Sequence, residues 1–407
     1  MKKFLGMILI GMLFLISCGK EKETKYESGK GVKEVVIWHY INEGGGELGN
    51  LIEEFNKTHT DIKIKAEYIP FKKKKKRVSI GVASNALPDI LIGDTTDHSA
   101  YISMGVYDDI TDELSKWEEV KSYYPSVLKG VMKDDKYYGL PFASNDLALF
   151  YNKDILAKYG LEPPKTWEDV IKIADAVKKD GIYGLGMAGI NNEEGTFSMI
   201  PWLYSAGGSW ENIDSPESKE AFQFLKTLVD NGGMSKEVIN LGLGDIQKQF
   251  SAGRLALMVN GPWQVPEFKK NNPNLNWGVT LIPAKKMSAS VIGGESIGIV
   301  KGSKVRGEAL VFLKYIIQKD VMTSYIDKTG YVPARKDVAE EAVFKNDPIK
   351  MVFIKQIETA EVRGPHPKWP EISRAIINAE QSILTGQKSV DEALKIAAAE
   401  IKSITGK

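Results

Sequence analysis

Residues 35–68 read VVIWHYINEGGGELGNLIEEFNKTHTDIKIKAEY, and their pattern decides the fold class. Val35-Val36-Ile37-Trp38 is a short apolar strand that ends near His39-Tyr40. Leu48 to Asn56 reads as a helix with Leu51, Ile52 and Phe55 on one face. Ile62, Ile64, Ala66 and Tyr68 then alternate with Lys63, Lys65 and Glu67, the period of a strand with one polar face. Further on, Pro88-Asp89 introduces Ile90-Leu91-Ile92, and Gly93-Asp94 ends it. Strand, helix, strand in this order predicts a mainly parallel sheet with right-handed crossovers. Gly44-Gly45-Gly46 follows the first strand, either as a flexible turn or as backbone that approaches a ligand closely.

The downstream chain carries clear helix starts. Thr166 before Trp167-Glu168-Asp169 is an N-cap with acidic residues in the first turn. Ser215-Pro216-Glu217 places a cap and an N1 proline before Ala221, Phe224, Leu225 and Leu228, and Gly232-Gly233 closes that helix. Ser389-Val390-Asp391-Glu392 reads as a capping box before Leu394, Ala397, Ala398 and Ile401. A length of 407 residues predicts two domains or lobes. No repeat and no Pro/Gly/Ser linker divides them, which predicts that the chain crosses between lobes more than once.

The front end reads as an export signal. Met1-Lys2-Lys3 is followed by 13 uncharged, mainly apolar residues, Phe4 to Ile16, too short to span a bilayer. Leu15-Ile16-Ser17-Cys18 is similar to a bacterial lipobox, which implies diacylglycerol on the thiol of Cys18 and cleavage before it. Cys18 is the single cysteine, so an intramolecular disulfide and a Cys-rich metal cluster are excluded. Lys and Arg number 54 against 53 Asp and Glu, a balance that gives no footprint for nucleic acid. The run Lys72 to Arg77 is the exception, and it reads as a solvated helix face.

Several aromatics sit beside Gly, Pro or polar loop residues: Trp38-His39-Tyr40, Pro201-Trp202, Gly208-Ser209-Trp210, Gly261-Pro262-Trp263 and Lys368-Trp369-Pro370. A ring can lie on the C–H face of a sugar while carboxylates, amides and Arg take its hydroxyls. The competing reading is core packing, which Trp210 favours. Glu43, Asp94, Asp146 and Glu295 also contain a possible glycosidase acid/base pair, which needs two carboxyls about 5–10 Å apart across the scissile bond. The four scattered histidines carry no zinc-hydrolase spacing, and no nucleophile elbow or phosphate loop is present.

Taken together, the opening stretch with ALPDILIGD (86–94), YYGLPFASNDLALFYNKDILAKYGLEPPKTWEDV (137–170), FSMIPWLYSAGG (197–208), FSAGRLALMVNGPW (250–263), IGGESIGIVKGS (292–303), KTGYVPARKDV (328–338) and GPHPKWPEIS (364–373) resembles the family 1 extracellular solute-binding proteins of ABC importers, the group containing maltose-binding protein. The resemblance runs from about Val35 to Lys402. It implies an α/β fold of two lobes, periplasmic-binding-protein-like, with a ligand cleft between them and a hinge of three chain crossings near Ala143, Ile292 and Tyr331. The implied division is a signal peptide at 1–17, a lipidated tether at 18–31, lobe I at 32–143 and 293–331, and lobe II at 144–292 and 332–407. The implied ligand-binding residues are Tyr40, Glu43, Asp94, Asn145, Asp146, Trp202, Trp263, Gly294, Glu295, Arg363 and Trp369, with Trp202 and Trp263 as an aromatic shelf. The implied role is a non-enzymatic, monomeric, lipid-anchored receptor outside the cytoplasm. It would hand a mono- or oligosaccharide to ABC permease subunits, with no cofactor, metal or nucleic acid. Gly195 and Phe197 depart from the maltose-binding pattern, which weighs against a maltodextrin. A polyol or glycerol phosphate is the alternative ligand, and a surface glycoside hydrolase the alternative class.

Overall fold

The computed structural model describes residues 31–41 and 46–406, with Phe71 and Lys72 described by their backbone alone. Cys18, the signal peptide and tether, and Glu43 lie outside the described residues.

The opening stretch folds as β1 (Lys33–His39), α1 (Gly46–Thr58) and β2 (Ile62–Tyr68), followed by α2 (Phe71–Ser84), β3 (Ile90–Asp94) and α3 (Thr95–Ser103). Leu48, Leu51, Ile52 and Phe55 are the buried face of α1, as their helical spacing requires. β1 pairs in parallel with β2 along its whole length and with β3 at Ile37–Ile90 and Trp38–Leu91. A hairpin of β4 (Met132–Lys133) and β5 (Lys136–Tyr137) precedes β6 (Leu140–Asn145), and the second sheet begins at β7 (Ala148–Asn152). That sheet adds β8 (Tyr183–Gly186), β9 (Leu255–Asn260) and β10 (Trp277–Thr280) in the order β10-β7-β9-β8. The chain then returns through β11 (Ser290–Ile299), and β12 (Ala360–Val362) completes the first sheet in the order β12-β11-β3-β1-β2 with β6 also on β11.

The first sheet is mixed, where strand–helix alternation predicts a mainly parallel one. β11 runs antiparallel to β3 and β6. It enters from the second lobe and not through a crossover helix, so the handed βαβ rule does not set its direction.

Three segments pass between the lobes and are bonded to one another. Between β6 and β7, Leu147 donates its N–H to Ser290 Oγ at 3.1 Å, and Ser290 Oγ donates back to the Leu147 carbonyl at 2.7 Å. The third segment joins them where Val332 N–H meets the Ser144 carbonyl at 2.8 Å. Just after Tyr331 the chain still lies against lobe I, where Tyr124 N–H bonds the Ala334 carbonyl at 3.0 Å. Passage to lobe II follows through the helix Pro348–Ile357. One face of the second sheet packs Leu149, Leu185 and Leu257 with Trp167, Trp202 and Phe224 in a core roofed by the helices Trp369–Leu384 and Val390–Thr405, while Phe150, Met258 and Val279 join the cluster that continues into lobe I. The Thr166 capping box forms, and Ser215 and Ser389 cap their helices through their hydroxyls.

Candidate functional site

β1 and β3 end on the same side of the first sheet, so Tyr40 and Asp94 emerge together at their carboxyl ends, where open α/β sheets bind ligands. β11 brings Glu295 directly opposite Asp94 in register. This approach depends on Gly294, whose φ is +111° and whose Cβ would stand 2.1 Å from the Ala143 carbonyl oxygen. Asp94 also caps α3, accepting from Thr96 N–H at 2.9 Å and Thr96 Oγ1 at 2.6 Å.

A cavity of about 380 Å³ opens here between the lobes, within the roughly 300–1,000 Å³ usual for small-molecule sites. Lobe I supplies Tyr40, Lys74, Lys75, Asp94, Thr96 and Asp97, and the crossing strands supply Asn145, Gly294 and Glu295. Lobe II supplies Asn192, Glu193, Glu194 and Phe197 from the start of the helix Glu193–Ser205, and Arg363 follows β12.

The charges form a network that spans both walls. Arg363 places Nη1 at 2.8 Å from Glu193 Oε1 in lobe II and Nη2 at 3.7 Å from Asp94 Oδ1 in lobe I. Its guanidinium lies 4.3 Å from the centre of the Phe197 ring. Glu193 is fixed further by the indole N–H of Trp369 at 3.0 Å and the Ser373 hydroxyl at 2.5 Å. On the facing wall, Lys74 and Lys75 each reach Asp97 at 2.9 Å. Tyr40 donates to Glu295 Oε1 at 3.3 Å, and the Lys74 ammonium sits 4.1 Å from the centre of the Tyr40 ring.

The two facing carboxyls titrate apart. Burial pushes the Glu295 carboxyl up to about 8, and Asp94 adds to the rise against hydrogen bonds from Tyr331 and Tyr40. Burial acts on Asp94 in the same sense, yet Arg363, Lys74 and the two Thr96 bonds hold it below the usual carboxylate range.

Of the residues expected from sequence, Tyr40, Asp94, Asn145, Gly294, Glu295 and Arg363 line this cavity. The others in the described part do not. Trp202 has no exposed surface and packs in the lobe II core against Trp167 and Phe224, so it forms no shelf. Trp369 is also buried, with its N–H directed to Glu193, and acts on the cleft only by orienting that carboxylate. Trp263 is half-buried against the lobe II core, outside the cavity lining. Asp146 is wholly buried at the first crossing with neither carboxylate oxygen bonded, and burial pushes its carboxyl well up. Trp210 packs edge-on against Trp369, as core.

Lys74, Lys75, Thr96, Asp97, Asn192, Glu193, Glu194 and Phe197 were not anticipated as lining. The lysine run reads as a solvated face, and Lys75 is exposed, but Lys74 is buried on Asp97. Asn192-Glu193-Glu194 is the cap-plus-acid signal already used at Thr166, and Asn192 accepts from Glu194 N–H at 2.8 Å. Beyond the run, Val78 is fully buried whereas Ile80 and Val82 are exposed.

A cleft between two α/β lobes, floored by strand ends and crossed by three chain segments, is a geometry with known counterparts. The model for the bacterial extracellular solute-binding protein family matches residues 50–352. The chain belongs to this family. Within the solute-binding family it is similar to the galactooligosaccharide-binding protein of Bacillus subtilis, 27% identical over 96% of this chain and 95% of that protein. Among solved structures, an ABC transporter solute-binding protein of Thermotoga lettingae bound with alpha-D-tagatose superimposes with a TM-score of 0.83 at 27% identity, covering 91% of this chain and 99% of that one. The maltose-bound MalE3 of T. maritima shares the fold, with a TM-score of 0.81 at 21% identity over 92% and 100% of the two chains. The solute-binding fold is therefore two-lobed, with its cleft at the cavity described above. No helix among the described residues is long and apolar enough to cross a membrane.

Proposed function

We propose that this solute-binding protein is a saccharide receptor of an ABC importer, held outside the cytoplasm by lipid on Cys18. It encloses a mono- or oligosaccharide between the lobes and delivers it to the permease as a monomer. The observation that carries this reading is the cavity itself. Its polar lining comes from both lobes and the crossing strands, and Arg363 contacts carboxylates on both walls. A ligand that bonds both walls favours the closed arrangement by its differential affinity for it, and closure strengthens those bonds by removing water. Relatives named for galactooligosaccharide, multiple sugars and tagatose support a sugar. Tyr40, Asp94, Asn145, Glu193, Glu295 and Arg363 would take its hydroxyls, and Phe197 would offer an apolar edge.

A hydrolase is the weaker reading. Asp94 and Glu295 stand side by side on neighbouring strands of one wall, whereas a glycosidase pair flanks the scissile bond from two sides. A glycerol phosphate is also disfavoured, since Lys74, Lys75 and Arg363 already face protein carboxylates. Thermal denaturation of the purified protein against sugars, polyols and their phosphates tests the reading, because bound ligand raises stability by mass action. A saccharide that raises Tm with no product formed is the expected result. A rise caused by a phosphorylated polyol alone, or by no compound at all, contradicts it.

A further inference from the structure

Resting on the saccharide-receptor reading, we propose that Asp94 and Glu295 form a subsite for a positively charged nitrogen, so that the preferred ligand is a saccharide carrying a basic amine. Three observations lead there. First, the two carboxyls are direct cross-strand partners of β3 and β11, so both can be ionised together only when a cation lies beside them. Second, Glu295 Oε2 and Asn145 Oδ1 are both buried and without a hydrogen-bond partner, while their residues line the cavity. Both side chains belong to residues more than nine-tenths buried, at 6% and 8% exposure. Acceptors left open in this way call for a donor-rich ligand group. Third, the cavity's cations are engaged: Lys74 and Lys75 with Asp97, and Arg363 with Glu193 at 2.8 Å and more loosely with Asp94 at 3.7 Å. Even with Glu295 protonated, the lining carries four carboxylates against three cations, and an anionic sugar would meet uncompensated negative charge.

A metal ion is a poorer occupant than an amine. No group of three or more His, Cys, Asp or Glu among the described residues is placed to hold one. An ammonium needs only the two carboxyls and the amide oxygen. The groups that face Glu295 are Tyr40, Tyr331, Asp94 and Lys74, with Tyr325 close enough to feel its charge. Glu295 keeps its proton at neutral pH. An ammonium placed beside it favours the ionised form, so amine binding releases a proton that hydroxyl binding does not.

The test is isothermal titration of the full protein at pH 7 with matched mono- and disaccharides bearing a hydroxyl, a free amine or a carboxylate at the same position, in two buffers of different ionisation enthalpy. The amine form is expected to bind roughly 10- to 100-fold tighter than the hydroxyl form, the range of a charge-assisted hydrogen bond. It should release a proton on binding, and the carboxylate form should be the weakest of the three. Glu295→Gln and, independently, Asp94→Asn are each expected to collapse the amine-to-hydroxyl ratio, and Glu295→Gln should abolish the proton release. An amine form no tighter than the hydroxyl form, or a carboxylate form that binds as well, overturns the subsite and leaves the receptor intact. If no saccharide of any charge binds, the receptor reading falls and the subsite falls with it.

Discussion

The two walls of the cleft are built by opposite means. On lobe I the functional groups sit at strand ends, where the backbone fixes them: Tyr40 after β1, Asp94 at the end of β3, and Glu295 held opposite by β11. On lobe II they gather at the start of the helix Glu193–Ser205, where side chains behind the wall hold the leading carboxylate. Glu193 depends on Trp369, Ser373 and Arg363. Trp369 thus supports the wall without forming its surface, and Trp202 lies in the core behind it. Aromatic rings beside Gly and Pro are weak evidence of a ligand shelf when the same rings can close a core.

The largest expected effect sharpens this contrast. Trp202→Ala should lower unfolding free energy by about 3–5 kcal/mol, the range for emptying a buried aromatic site. Urea denaturation measures it, and a loss below about 1 kcal/mol would return Trp202 to the surface. Arg363→Ala should cost about 3 kcal/mol, the low end for removing one partner of a buried ion pair. Glu193 and Asp94 keep other donors, and this is why the low end applies. A wild-type midpoint would mean the two walls are not coupled through this guanidinium.

The pH dependence is smaller and separates lobe I. Glu295 is protonated in the folded chain up to about pH 8, while the unfolded carboxyl ionises near its ordinary value of 4.5. Between those values the folded state holds the extra proton, so stability falls as pH rises through the window. Asp146 and Glu380, also pushed well up by burial, contribute with the same sign. Glu295→Gln should flatten the slope of Tm against pH between about 5 and 8. An unchanged slope would assign the whole effect to the other two acids. The smallest effect is expected at Trp263, where Ala should change saccharide affinity by less than about threefold, since the ring lines no part of the cavity. A tenfold loss would restore it to the binding wall.

Lobe I was largely legible in the sequence. Periodicity gave β1, α1, β2 and β3, and the family resemblance supplied Tyr40 and Asp94, which stand beyond strand carboxyl ends. Lobe II was legible as helices but not as a site. Whether Trp202 faces a cleft or a core depends on Phe224 and Trp167, brought against it by tertiary packing. Lys74 shows the same limit. Five lysines and an arginine in a row read as solvent-facing, and only the arrival of Asp97 from α3 accounts for one of them being buried. The antiparallel entry of β11 likewise follows from its return through the other lobe, which no local pattern records.

The central claim is that both walls hold one ligand. Titration of a saccharide that stabilises the wild-type protein into Asp94→Asn and, separately, Glu193→Gln tests it most directly. The account predicts that each substitution weakens that saccharide by about tenfold or more, as the loss of a charged hydrogen-bond partner implies. Wild-type affinity in either variant would contradict it, by showing that the ligand is held without one wall.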